Sequence, residues 1–380
     1  MRLLTSGGLL SLFFLSSLPL LSFASVLAID YGSDFIKASL MSPGVPFDVL
    51  LNKDSKRKIH SVVAFKKGER LFGQDAFNLV GVTSILVQLQ MLQFKQASRF
   101  PTETFASLKL IEGAPFDSQP VQYFKRISSL DLVETPRRTV GFVQPDGTQW
   151  SVEELVAMEF AYIKHLAEHV ANEKVTDVII TVPPYFSQFE RDAIVDSIEI
   201  AGLKTLALIN DGTAVAVNYA MTRTFPTPEY HIIYDAGASG IKATLASFTT
   251  AIDPKTDTPG THVNVVGVGY DRAIGGTELD RRMREILIEG FNAKHKRDIR
   301  GDKRGMAKLW KEAQRVKAIL SANTETVSRV ESLAWDIDFK TKVTRADFEH
   351  RCEDLKGQFV KPIFEALQTA GLTLVWNRAF

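Results

Sequence analysis

Residues 30–40 and 235–245 repeat one short pattern at a constant offset of 205, and that echo restricts the chain to folds built from two matched halves. Asp30-Tyr-Gly-Ser-Asp-Phe-Ile-Lys-Ala-Ser-Leu40 and Asp235-Ala-Gly-Ala-Ser-Gly-Ile-Lys-Ala-Thr-Leu245 agree at six of eleven positions: Asp30/Asp235, Gly32/Gly237, Ile36/Ile241, Lys37/Lys242, Ala38/Ala243 and Leu40/Leu245. In each copy an apolar run, Val26 to Ile29 or Ile232 to Tyr234, ends on the carboxylate. Small turn residues follow, and a second strand begins near Phe35 or Ile241. This is the pattern of a hairpin whose turn offers backbone N–H groups to phosphate oxygens while the preceding aspartate holds a magnesium ion or its waters. One copy alone would read as an ordinary β-turn, because Gly and Asp are common turn residues. Two copies in 380 residues, a length sufficient for two lobes with separate cores, predict a pair of clamps facing each other across a cleft.

The first 24 residues are expected to be a secretory leader rather than part of the fold. Arg2 supplies a short positive region, Leu9 to Leu21 is an apolar stretch interrupted by Pro19, and Ser22-Phe-Ala24 places small residues where cleavage would fall. The apolar stretch is shorter than the ~20 residues a membrane span needs, so no membrane association is expected once the leader is removed. A single cysteine, Cys352, excludes an intramolecular disulfide, and no Asn-x-Ser/Thr acceptor is present. Forty-five basic and forty-four acidic side chains leave a net charge of +1, which gives no field to attract nucleic acid. The local basic cluster from Arg281 to Arg304 reads as a solvated helix face.

Strand and helix patterns alternate along the mature chain, which predicts an α/β architecture. Residues 175–182 form a strand-like run stopped by Pro183-Pro184. Residues 187–201 carry apolar side chains at helical spacing and end before Gly202. A short strand at 206–209 leads into Asn210-Asp211-Gly212-Thr213, which should cap a helix over 214–221, and the proline-rich segment 224–229 is the expected lobe boundary. Beyond it come the second hairpin, a strand at 262–268, a helix from Thr277 and another from Lys303 to Leu320. A last helix is expected over 345–370, kinked or split by Pro362.

Strand, carboxylate and phosphate turn, repeated in a second lobe, resemble the plan of the actin, sugar kinase and heat-shock ATPase superfamily. Ile180-Thr-Val-Pro-Pro-Tyr-Phe186 with Gln188 and Arg191, Ala201-Gly-Leu, and Ile209-Asn-Asp-Gly-Thr-Ala-Val-Ala216 with Tyr219 are similar to the connecting segment of the seventy-kilodalton heat-shock chaperones. So are Gly275-Gly-Thr-Glu-Leu-Asp280 and Ile337-Asp-Phe-Lys-Thr-Lys-Val-Thr-Arg345. The leader, the Asn210-Asp211 spelling and the run from Ala313 to Ala322 most resemble the large glucose-regulated, hypoxia-upregulated members of the endoplasmic reticulum lumen. The likeness spans roughly residues 26–372. It implies an actin-like ATPase domain with ribonuclease H-like duplicated lobes around a nucleotide cleft: lobe I over 25–225, lobe II over 226–372, and a divergent tail over 373–380.

The same resemblance implies roles for matching residues, with ATP or ADP and Mg²⁺ as cofactors. Asp30 and Asp235 would hold Mg²⁺, mostly through water, and Asp235 would stand nearest the attacking water. The turns, through Gly32, Ser33, Asp34 and Phe35 and through Gly237, Ala238, Ser239 and Gly240, would bind the β- and γ-phosphates. Asp211 falls where conventional members carry a longer glutamate that positions water and metal. Lys109 would neutralise charge developing on the γ-phosphate. Gly275, Gly276 and Thr277 would lie against the nucleoside, and Lys317 and Ser321, four apart on one helical face, would contact ribose and adenine.

Departures from the family pattern bear on turnover. Gln314 and Ala318 stand where a ribose acceptor and an adenine-stacking guanidinium are usual. Asp34 places a carboxylate where phosphate charge would sit, which should weaken ATP binding or require a compensating cation. Residues 81–96 read as an insertion, and the chain ends at Phe380 before the strand and Gly-Gly turn that close over adenine in the family. The expected partners are a conventional lumenal heat-shock chaperone and, for a longer relative with its peptide-binding region, unfolded client polypeptides. Two functions follow from the resemblance: a weak ATPase domain of a lumenal chaperone, or a non-enzymatic factor that promotes nucleotide exchange on a conventional chaperone.

Overall fold

The first copy of the echoed pattern forms the strands Val26–Tyr31 and Phe35–Met41, paired antiparallel so that Asp30 stands opposite Lys37. The second forms Glu229–Ala236 and Ile241–Ile252, with Asp235 opposite Lys242. The register is the same in both. This computed structural model describes residues 25–44, 48–79, 101–252 and 257–374. The expected leader, the 81–96 segment and the residues after 374 lie outside the described residues.

Around the first hairpin the sheet is completed on both sides, in the order Lys204–Asn210, Asp177–Val182, Val26–Tyr31, Phe35–Met41, Ile59–His60. Asp177–Val182 runs parallel to Val26–Tyr31 and Lys204–Asn210 runs parallel to Asp177–Val182. Leu27, Ile29 and Tyr31 are fully buried, as alternation along a strand requires, and so are Ile36, Ala38 and Leu40 opposite them. Helix Val152–Ala171, started by a capping box between Ser151 and Glu154, packs into the same core through Leu155, Val156, Phe160 and Ile163. Helix Gln188–Ile200 begins with the same device at Ser187 and Glu190 and ends before Gly202, whose φ of 71° suits the left-handed turn there.

The second sheet has three strands among the described residues, Glu229–Ala236, Ile241–Ile252 and Pro259–Asp271, all antiparallel. Glu229–Ala236 is therefore an edge here, and Tyr230 and Tyr234 are exposed along it. Helix Lys356–Thr369 covers one face of this sheet at very short range. A Cβ on Gly267 would lie 2.1 Å from the Ala366 carbonyl oxygen, and one on Gly269 would lie 2.1 Å from that of Pro362. These two glycines, alternate on one strand, make the groove in which the helix lies. Beyond the sheet, helices Gly276–His295 and Lys303–Leu320 enclose a separate core with the hairpin Glu325–Ala334/Ile337–Thr344, built on Met283, Leu287, Phe291, Leu309, Val316 and Phe339.

The main core of the first half runs from Leu27 to Leu203, and Ala216 already packs with Phe225, Ala246 and Phe248 in the second half. The change of core thus precedes the proline-rich segment, because helix Asp211–Ala220 crosses over and lies on the second sheet. A Cβ on Gly212 would fall 2.0 Å from the Thr244 hydroxyl. The last helical region is divided as anticipated, but at Cys352–Leu355 and not at Pro362: Arg345–Arg351 and Lys356–Thr369 flank a 3-10 turn that buries Leu355, while Pro362 is accommodated inside the second helix.

Polar groups tie the halves together. Arg284, buried beneath Trp310 at 4.9 Å, donates to the carbonyls of Arg126 (2.6 Å) and Ile127 (3.3 Å) at the end of helix Gln119–Ile127. Lys303 reaches Asp131 at 2.7 Å, and Arg272 pairs with the buried Glu190.

Two carboxyl groups are sealed inside the first core. Glu112 is 1 % and Glu159 3 % exposed, each held by one serine hydroxyl, from Ser197 (2.9 Å) and Ser61 (3.0 Å). Burial pushes both up to about 8, only partly offset by those hydrogen bonds. A carboxyl with a raised folded-state pKa contributes fully below its unfolded value near 4.5, and that contribution is lost as pH rises toward 8. The Glu112→Gln/Glu159→Gln variant should therefore unfold at a higher temperature than the parent at pH 9, by about 3 °C or more, with the gap closing at pH 5. Thermal melts at the two pH values decide this; an equal gap at both would remove the protonated-carboxyl assignment.

Candidate functional site

Each echoed turn closes on itself in the same way: the Gly32 amide donates to the Phe35 carbonyl at 3.1 Å, and the Gly237 amide donates to Gly240 at 3.0 Å. This closure requires the first glycine and leaves little room at the second. A Cβ on Gly32 would lie 2.4 Å from the Phe35 carbonyl oxygen, and one on Gly237 3.3 Å from that of Gly240. The two turns meet tip to tip, with the Ser33 and Ser239 hydroxyls in direct contact across the halves. The two duplicated turns thus face one another across the halves.

Behind the turns the cross-strand register sets the charges. Lys37 bonds Asp30 at 2.6 Å, and Thr181, from the strand that ends in Pro183-Pro184, donates to the other Asp30 oxygen at 3.0 Å. Burial pushes the Asp30 carboxyl up, but the Lys37 hydrogen bond and charge, helped by Thr181 and Lys109, hold it below the usual carboxylate range. Lys242 bridges two carboxylates, Asp235 at 2.8 Å and Asp211 at 2.5 Å. Burial would lower the Lys242 pKa, yet Asp211 and Asp235 together raise it far above the usual lysine range. Asp211 lies in the first turn of helix Asp211–Ala220 rather than at its cap, so its side chain points back to the cleft.

Lys109 stands on a single 3-10 turn, Leu108–Leu110, with its amine bonded to the Tyr31 carbonyl and 5.1 Å from the Tyr31 ring. Burial and then the charge of Lys242 bring its pKa down to about 8, against the opposing pull of Asp211, Asp30 and Glu112. It is thus placed with the carboxylates rather than on the surface.

The residues expected at the nucleoside are brought to the other flank of the second turn. Gly276 and Thr277, the first residues of helix Gly276–His295, donate to the Gly237 and Ala238 carbonyls at 2.9 and 2.8 Å. A Cβ on Gly275 would lie 2.4 Å from the Ala238 carbonyl oxygen, so the close approach this glycine permits is to the turn itself. Lys317 bonds the Gly276 carbonyl (3.0 Å) and pairs with Asp280 at 2.7 Å. Burial pushes Asp280 up to about 6 despite Lys317. Asp34, raised by its own burial, shares the Lys317 charge from the opposite half. Ser321 ends the same helix with its hydroxyl turned to the Ala318 carbonyl at 2.6 Å.

Sequence reasoning gave no role to Lys37, Lys242, Thr181 or Asp280. The two lysines were visible in the echo itself, since they recur seven residues after each aspartate. Thr181 and Asp280 carry no such signal; sheet pairing and helix packing bring them in.

For a divalent cation the carboxylates of Asp30 and Asp235 offer suitable oxygen donors. No group of three or more metal-ligating side chains occurs among the described residues. The ammonium groups of Lys37 and Lys242 lie on those same carboxylates, so the site is already built to hold positive charge there.

Two duplicated hairpins of identical register, meeting at their turns with paired aspartates behind them, define an actin-like, two-lobed nucleotide-binding domain. The Hsp70 protein family model matches residues 26–375, and the chain belongs to the Hsp70 family. It is 39 % identical over 359 residues to the heat shock protein 70 homolog lhs1 of Schizosaccharomyces pombe, covering 92 % of this chain and 40 % of that protein. It is 39 % identical to hypoxia up-regulated protein 1 of Xenopus laevis, again over 92 % of this chain and over 52 % of that protein. The human protein of the same name is 36 % identical over 92 % of this chain and 34 % of its own length. The chain thus spans between about a third and a half of these relatives.

Lys242 is the test of the charge arrangement. Lys242→Met leaves the mostly buried Asp211 carboxylate without its partner and should destabilise the chain by about 2 kcal/mol, less than for a fully buried pair because Asp235 is half exposed. Adding Asp211→Asn should recover at least half of the loss in urea unfolding. Equal destabilisation by the single and double variants would show that Lys242 acts through packing alone.

Proposed function

We propose that this chain binds an adenine nucleotide with Mg²⁺ between its lobes and hydrolyses ATP slowly, as the nucleotide-binding domain of a chaperone of the endoplasmic reticulum lumen. The observation that carries this reading is the pair of facing turns, each backed by an aspartate and its cross-strand lysine. The turn hydrogen bonds use the Gly32 and Gly237 amides and leave those of Ser33, Asp34, Ala238 and Ser239 to receive phosphate oxygens. Asp30 and Asp235 would hold Mg²⁺, which supplies neutralising charge for the phosphates. Asp235, half exposed beside the turn, orients a water molecule, with Asp211 steadied near it through Lys242. Lys109 contributes positive charge from behind the first turn. Lys317 and Thr277 flank the nucleoside side. The secretory leader expected over 1–24 supports lumenal residence, and likeness to stress-related relatives supports a chaperone context.

A second reading has its own observation. Asp34 places a carboxylate in the first turn, and Asp211 is committed to Lys242; both features disfavour turnover more than binding. They suit a factor that uses nucleotide for shape while it promotes exchange on a conventional lumenal chaperone of this family, with unfolded clients engaged only by longer relatives.

Calorimetric titration with ADP and with ATP, in Mg²⁺, should give saturable binding that falls at least tenfold in Asp30→Ala/Asp235→Ala. Absence of binding by the folded parent would overturn the nucleotide reading. Steady phosphate production abolished by Asp235→Asn selects the ATPase. Binding without turnover, together with faster nucleotide release from a conventional chaperone, selects the exchange factor.

A further inference from the structure

The second turn has two flanks, and only one of them faces the nucleoside side. The Ala238 carbonyl receives the start of helix Gly276–His295, next to Lys317. Its neighbour Ser239 borders a separate cavity of about 200 Å³ between the halves. The walls of that cavity include Lys109 and Tyr185 from the first half, the 119–126 face of helix Gln119–Ile127, and Arg272 from the second. Gln119, Tyr123 and Arg126 recur there at helical spacing, so one face of this helix forms a continuous wall.

The charge of the cavity is of one sign. Its ionisable lining is Lys109, Arg126 and Arg272, together with the phenols of Tyr123 and Tyr185, and no carboxylate lines it. The acids around it are engaged: Glu190 by Arg272, Glu278 by Arg281 (2.7 Å) and Arg282 (2.9 Å) as well as by the Tyr123 hydroxyl (3.3 Å), while Asp30, Asp211 and Glu112 act on Lys109 from outside the cavity. Arg126 makes no ion pair among the described residues. The guanidinium of Arg272 lies 4.7 Å above the Tyr185 ring, and a Cβ on Gly240 would fall 3.0 Å from the Tyr185 hydroxyl. The cavity thus meets the second turn at Ser239 and Tyr185. At roughly 30 Å³ per water, it has room for about six waters or for one small hydrated anion.

We propose that this cavity is a binding site for inorganic phosphate, distinct from the phosphate turns and reached from them past Ser239 and Tyr185. The inference rests on the reading of the cleft as a nucleotide site and deepens it: a γ-phosphate freed between the turns lies beside a space lined by three basic side chains, of which Arg272 is already paired with Glu190, on the flank opposite the nucleoside. Phosphate would move there while ADP stays in place. Lys109 borders both compartments and holds the anion from the turn side, whereas Arg126 holds it from the outer end.

Equilibrium dialysis of the purified chain with radiolabelled orthophosphate, at constant chloride ionic strength, tests this with and without saturating Mg-ADP. Saturable uptake of one phosphate per chain is expected in both conditions, because the cavity is open without nucleotide. Arg126→Gln should weaken phosphate uptake at least fivefold with ADP affinity unchanged, and Arg126→Lys should restore most of it. ADP binding accompanied by no phosphate uptake, or by uptake that Arg126→Gln does not alter, overturns the proposal. Uptake that follows Arg126 in a chain that binds no ADP would sustain the anion site and remove the nucleotide reading instead.

Discussion

Three carboxylates, from Asp30, Asp211 and Asp235, are gathered behind two turns made to receive negative charge, and such an arrangement holds only if positive charge is built into it. Lys242 does most of this. It joins Asp211, at the start of a helix, to Asp235, at the end of a strand, and so fixes the angle at which helix Asp211–Ala220 leaves the first half and lies on the second sheet. Gly212 makes that contact possible by letting the helix backbone come against Thr244. Lys37 performs the corresponding service for Asp30 alone, which is one reason the two halves are not mechanically equivalent.

The inequality extends to the sheets. The first hairpin is extended by two parallel strands, of which Asp177–Val182 buries alternate side chains, whereas the second has no parallel strand beside it among the described residues and relies on helix Lys356–Thr369 pressed against Gly267 and Gly269. The two aspartate side chains are equally half-exposed, so the difference lies in their hydrogen-bond partners. Asp30 accepts from Thr181 on the neighbouring strand, and Asp235 has no corresponding hydroxyl from a parallel strand among the described residues.

Much of this was legible in the sequence for physical reasons that can be named. Period-two alternation and a shared Asp-x-Gly turn expose the hairpins, and Ser187 with Glu190 marks a helix start, because these signals are local. The sequence points to a break at Pro362 where the helix in fact divides at Cys352–Leu355, since proline advertises itself locally whereas Leu355 enters a core assembled from distant residues. The same limit hides Asp280, Thr181 and Arg272: each gains its place through a partner more than thirty positions away, as Lys317, Asp30 and Glu190 are. Lys109 stands between these cases. Its neighbours in sequence say little, and only the fold turns it inward to the Tyr31 carbonyl.

The contact between Ser33 and Ser239 has a thermodynamic corollary. Where the two turns touch, protein already satisfies protein, so a phosphate chain must part the hydroxyls before it can bond to either. Closure at this contact then competes with the ligand, and the apparent dissociation constant exceeds the intrinsic one by the reciprocal of the fraction of molecules standing open. A chain with this geometry can have its affinity set by how firmly one half leans on the other, even where every bond made to the phosphates is kept.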